Sequence, residues 1–172
     1  MDKVALLPAS DRAALFGETA AARGLADTIV EKDFWVCWTL KRLWEKATAL
    51  HAEAHRPAAS PTPQYFSRHY YDIAMLLGTE GGKAAATDFE LLDQVAKHKA
   101  VFFRSGWASY DTARPGTLQL MPPEVRVKDL RADYREVAPM MFDDQPLPFD
   151  EILARIQKLQ ETINASSIAN GQ

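Results

Sequence analysis

Apolar residues recur along this chain at spacings of three and four, the period of helices packed by one face, far more than they alternate. The clearest stripe runs through Asp150–Asn164, where Ile152, Leu153, Ile156, Leu159 and Ile163 share one side. A second patterned segment begins near Thr28 and meets no proline before Pro57. Thr28 and Glu31 have capping-box spacing, and the unbroken pattern predicts one helix of about 28 residues, roughly 42 Å long. Trp35, Trp38 and Trp44 all lie on it, so much of its surface calls for burial. Ahead of it, Ser10–Arg23 reads as a helix capped by Ser10 and stopped by Gly24, with Leu15 and Phe16 as its bulky apolar residues.

Prolines divide the remainder. Pro57, Pro61 and Pro63 break the long helix and form a stiff turn, after which Arg68–Leu77 resumes as helix. Gly78–Gly82 reads as a loop, and Thr87 with Glu90 forms a second capping box that opens a helix to about Phe103. Trp107–Met121 is an irregular crossing in which Leu118–Met121 suits a short strand. Pro122-Pro123 starts a helix over Glu124–Val137, and Pro139, Pro146 and Pro148 punctuate a loop before the last helix. Residues 166–172 read as a frayed tail. The expectation is one mainly α domain over residues 1–172, with at most one or two short strands: N-terminal helices over 1–43, a site segment over 44–77 and a C-terminal helical region over 78–165.

Composition changes this picture little. At 172 residues, with 47% hydrophobic and 25% charged positions, the chain is long enough to bury a core. A net charge of −3 gives no bulk support for nucleic-acid binding, which leaves that role to a local basic patch. The single cysteine, Cys37, excludes an intrachain disulfide and reads as buried filler between Val36 and Trp38. No run approaches the ~18 apolar residues of a membrane span, and MDKVALLPASDRAAL carries no secretory pattern, so the expected setting is the cytoplasm.

The candidate chemistry sits on both sides of the proline turn. A helix, a stiff turn and a second helix can bring Lys46 and Asp72 together, with His69 one turn before Asp72. The plainer alternatives are a solvated Lys46 and an Asp72 paired with Arg68 four residues earlier. His51 and His55 are four apart, but HAEAH lacks the glutamate directly after the first histidine that H-E-x-x-H requires, so no metal ligands are assigned. Gly81-Gly82 followed by Asp88 and Glu90 mimics a nucleotide-binding turn with paired carboxylates, and helix capping explains the same residues. Lys97, His98, Lys99 and Arg104 surround Phe102, Phe103 and Trp107. Such interleaving can hold RNA by phosphate contacts and stacking, or can be a helix with a wet basic face and a buried aromatic one.

Three blocks carry a family resemblance. WEKATALHAEAHRP followed by SRHYYDIAMLL resembles the later part of the AbiEii/AbiGii-type nucleotidyltransferase toxins. KDFWVCWTLKRL (Lys32–Leu43) resembles their N-terminal helix, and HKAVFFRSGWASYDTARPG (His98–Gly116) their C-terminal region. The resemblance implies a helical remnant of an α/β fold, in which the sheet-bearing core, its Gly-Gly-Thr/Ser turn and its pair of metal-binding carboxylates are missing between Leu43 and Trp44. It further implies transfer of a nucleotide from an NTP to an acceptor, with tRNA among the substrates, magnesium as cofactor and an antitoxin as partner. Lys46 is implied as the triphosphate contact and Asp72 as the second catalytic residue; beside the resemblance, the residues themselves make Arg68, His69, Lys99 and Arg104 the expected substrate contacts. With the carboxylates gone, the expectation is a chain inactive by itself that binds neither magnesium nor NTP tightly. The alternative is a non-catalytic helical module that binds an antitoxin, RNA or a second copy of itself through its tryptophan-bearing helix.

Overall fold

In the computed structural model, which describes residues 1–141 and 145–169, the long patterned segment forms one unbroken helix, α3 (Asp27–Ala54) of 28 residues. Before it come α1 (Asp2–Ala5) and α2 (Ala9–Arg23). After it come α4 (Ser67–Leu76), α5 (Glu80–Ala85), α6 (Phe89–Phe102), α7 (Glu124–Val137) and α8 (Phe149–Ala169). Single 3-10 turns lie at Tyr110–Thr112 and Ala138–Met140. The described residues form helices and no strand, so the fold is mainly α.

Helix α3 has two characters. Up to Arg42 no side chain is fully buried, and its cover is α2, whose Phe16 ring lies 5.2 Å from that of Phe34. From Leu43 onward it enters the core, with Leu43, Trp44, Ala47 and Leu50 excluded from solvent. There α3 packs against α4, α5 and α6, and α4 packs in turn against α7 and α8. Tyr70 and Ile73 of α4 meet Ile152 and Ile156 of α8 in the same cluster. Trp35 and Trp38, half-buried, stack edge-on at 5.8 Å, with the guanidiniums of Arg12 and Arg42 over their faces. Cys37 is exposed rather than buried, because it falls on the helix face turned away from both α2 and the core.

Several local expectations shift. The Thr28–Glu31 box goes unused: α3 starts at Asp27, whose charge suits the helix N-terminus, and Ala26 precedes it without a side-chain cap. Nor does Ser10 cap α2, which starts at Ala9 behind Pro8; Gly24 ends it with φ 65°, as its position suggests. Gly81 and Gly82 are helical, not a loop. Thr79 caps α5 by accepting from the Gly82 N–H at 3.0 Å, and a Cβ on Gly82 would lie 1.8 Å from the Leu76 carbonyl oxygen. Asp88, not Thr87, caps α6 by accepting from the Leu91 N–H at 3.0 Å. The paired-carboxylate mimicry of Asp88 and Glu90 therefore ends in a cap.

Leu118–Met121 is extended but finds no partner strand. Its backbone donors go instead to side chains: Leu118 N–H to Asn164 at 3.1 Å, Gln119 N–H to His51 Nδ1 at 3.0 Å, and Met121 N–H to Gln160 at 3.0 Å. Helix α8 runs past Asn164 to Ala169, and residues 170–172 of the expected tail lie outside the described residues, as does 142–144 of the proline loop.

Candidate anion-binding site

The turn between α3 and α4 is tied down from α7. Arg126, only 3% exposed, donates from Nη2 to the carbonyls of Pro57 (2.8 Å) and Ser60 (3.1 Å) and from Nη1 to Thr62 Oγ1 (3.2 Å). Its charge is met by Glu53 at 3.5 Å, itself bonded to Arg56 at 2.7 Å. Asp133 then accepts from the backbone N–H of Tyr65, held at φ 59°, and of Ser67 at 2.8 Å. An aspartate from another helix thus caps α4, and this fixes where the α4 side chains point.

Those side chains meet α3. The Lys46 ammonium, on a side chain 15% exposed, is ion-paired with Asp72 and lies 3.4 Å from His69 Nδ1. Lys99 of α6 donates to the backbone carbonyl of Glu45 beside it. A cleft of about 720 Å³ opens between α3, α4 and α6, lined among others by Lys41, Arg42, Lys46, His69 and Lys99, with Phe103 and Tyr110 among its aromatic lining residues.

Burial, then the neighbouring Lys46 charge, pulls the His69 pKa down to about 4, so the ring is neutral at physiological pH. With Nδ1 accepting from Lys46, the proton sits on Nε2. Lys99 is pulled down to about 8, first by burial and further by Lys46, against the opposing pull of Glu45. These costs to the charged forms are what an anion in the cleft would relieve.

The structure therefore gathers Lys46, Asp72, His69 and Lys99. Arg68 does not line the cleft: it is exposed and lines a depression on the other side of Asp72, with Tyr65, Tyr71 and Met140, and no ion pair between Arg68 and Asp72 occurs among the described residues. The alternative four-apart pair is not formed, because Asp72 faces the more buried Lys46. Arg104, also exposed, lines a neighbouring hollow with Tyr110 and Asp111. Phe102 and Phe103 are 70% and 60% exposed, which rules out the buried aromatic face, one of the two alternatives for this cluster. His51 is structural: Nε2 donates to the Ser109 carbonyl at 2.9 Å while Nδ1 accepts from Gln119, and burial lowers its pKa.

A family model for the nucleotidyl transferase AbiEii toxin of type IV toxin–antitoxin systems matches residues 42–155. The chain belongs to that family. The matched stretch contains all four gathered residues, together with Arg126 and Asp133; residues 32–41 of the N-terminal block lie outside it. No curated protein and no solved structure matches the chain. Among the described residues no helix is long and apolar enough to cross a membrane.

Magnesium, which the toxin family implies, does not fit the donors of this cleft. The carboxylate that lines it is Glu45, 3.4 Å from Lys41, while Asp72 lies behind Lys46 and is held by it, so each already neutralises a lysine. A hard dication takes several oxygen ligands, and no cluster of three His, Cys, Asp or Glu able to hold a metal occurs among the described residues.

Lys41, Arg42, Glu45 and Tyr110 are polar cleft residues not singled out in the sequence. Arg42 stands four before Lys46, so helical spacing alone would have found it. No local signal marks Tyr110, Arg126 or Asp133, since their partners are far away in the chain.

Proposed function

We propose that the α3–α4–α6 cleft of this toxin-family chain holds the phosphates of a nucleoside triphosphate, and that the chain by itself does not complete nucleotide transfer to an RNA acceptor. The observation that carries the first half is Lys46 held between Asp72 and His69 at the wall of a cleft that also receives Arg42, Lys41 and Lys99. An ammonium has three donors. Asp72 and His69 take two and fix its position, leaving one for a phosphate oxygen. The His69 Nε2–H and the Arg42 guanidinium add directed donors, the latter suited to bidentate phosphate contact.

The second half rests on the donor set. Magnesium in such enzymes bridges phosphates and nucleophile and is held by carboxylates. Here Asp72 anchors Lys46 instead of standing free as a base. The proposal includes loss of the sheet-bearing core between Leu43 and Trp44, which are consecutive, fully buried residues of α3. An RNA acceptor and an antitoxin partner complete the proposal. Incubation with magnesium, each labelled NTP and total tRNA is expected to give no label above background. Incorporation that vanishes in Asp72→Ala would contradict it.

Lys99 supplies a pH signature. It must be charged to attract phosphate, and its pKa lies at about 8. Anion affinity should therefore hold up to roughly neutral pH and fall as pH is raised through about 8, while His69, neutral above about 4, contributes no change there. In Lys99→Gln the fall should disappear and the affinity should be low throughout. Titrations of inorganic tripolyphosphate between pH 7 and 9.5 read both.

A further inference from the structure

The cleft has cations along one wall and an aromatic side chain that nothing covers. Phe103 closes α6, lines the cleft and is nevertheless 60% exposed. Burying such a ring would contribute about 2 kcal/mol, so its exposure serves no folding purpose. It stands four residues after Lys99, one helical turn along the same face. Behind it the His98 ring lies 6.3 Å away, and 4.6 Å from that of Phe102, so the ring is backed by other aromatics.

A ligand with negative charge at one end and a flat, apolar-faced ring at the other matches this layout. Resting on the phosphate reading above, we infer that Phe103 is the stacking platform for the base of the bound nucleotide, while Lys46 and Lys99 hold its phosphates. The cleft volume of about 720 Å³ is in the range of small-molecule sites. An apolar anchor from a protein partner is the poorer occupant, because it would desolvate Lys99 and Arg42 without meeting their charge. Stacking on Phe103 reads no hydrogen-bonding edge, so the platform accepts any of the four bases with modest preference.

Calorimetric titration of wild type and Phe103→Ala with tripolyphosphate and with ATP, GTP, CTP and UTP tests this. Because the ring is exposed, the substitution leaves the core untouched. The nucleotides should bind wild type more tightly than tripolyphosphate, and Phe103→Ala should weaken each nucleotide by about tenfold while leaving tripolyphosphate unchanged. Phe103→Trp should restore nucleotide affinity. Nucleotides that bind no more tightly than tripolyphosphate, or a Phe103→Ala loss equal for both ligands, would overturn the platform and leave the phosphate site standing. Failure of both tripolyphosphate and nucleotides to bind wild type would overturn the two together.

Discussion

Replacing Arg126 with alanine is expected to lower folding stability by about 3–5 kcal/mol, the cost of breaking a buried ion pair from one side. Arg126 is the central tie of the proline turn. It satisfies the carbonyls of Pro57 and Ser60, meets Thr62 and neutralises Glu53, which is itself 4% exposed. Truncation leaves two carbonyls without their donor and a buried carboxylate with only Arg56 for company. Lysine at the same position keeps the charge but not the fork of donors, so Arg126→Lys should be less destabilising than alanine and still measurably less stable than wild type. Urea unfolding measures both. Because the turn aims α4, the Arg126→Ala protein should also bind tripolyphosphate more weakly where it remains folded, although Arg126 never touches the cleft.

The second large effect is on binding. Lys46→Gln is expected to weaken tripolyphosphate by about tenfold to a hundredfold, since a hydrogen bond to a charged group contributes about 1.5–3 kcal/mol. It also leaves Asp72 as an uncompensated negative charge beside the site. Asp72→Asn should do the opposite and tighten the anion, because it removes that negative charge while keeping the Lys46 ammonium. If Asp72 instead worked chiefly as a base toward an acceptor, Asp72→Asn would leave anion affinity where it was. His69 gives an independent readout: Lys46 holds its pKa down, second only to burial, so in Lys46→Gln the imidazole should titrate above its wild-type value of about 4. Ring-proton shifts followed by NMR measure this directly.

Long-period features were legible in the sequence, and pairings across the fold were not. The 28-residue α3, the start of α7 behind Pro122-Pro123 and the stripe of α8 follow from apolar spacing and proline chemistry, which act within a few residues. Lys46 and Asp72 could be brought together on paper because only one stiff turn separates them. The α6 cap was read one residue off, on Thr87 rather than Asp88, because several side chains near a helix start can accept the same N–H, while α2 and α3 start without the side-chain caps read for them. The strand expected at Leu118–Met121 failed for a tertiary reason: Asn164, Gln160 and His51 supply the partners that a neighbouring strand would have supplied. Arg126 and Asp133 bind groups more than sixty positions away, and no local pattern announces that. Cys37 was misjudged because apolar type was taken for burial, while the direction it faces, like that of Phe102 and Phe103, depends on which helices arrive beside α3 and α6.

The most direct measurement is titration of ATP into the wild-type chain in metal-free buffer with EDTA, repeated with magnesium in excess. A cleft built from Lys46, Lys99, Arg42 and His69 should bind one ATP without metal. Magnesium should weaken the binding, because it neutralises the charge those groups attract. Binding that appears only when magnesium is added, or no binding under either condition, would contradict the account.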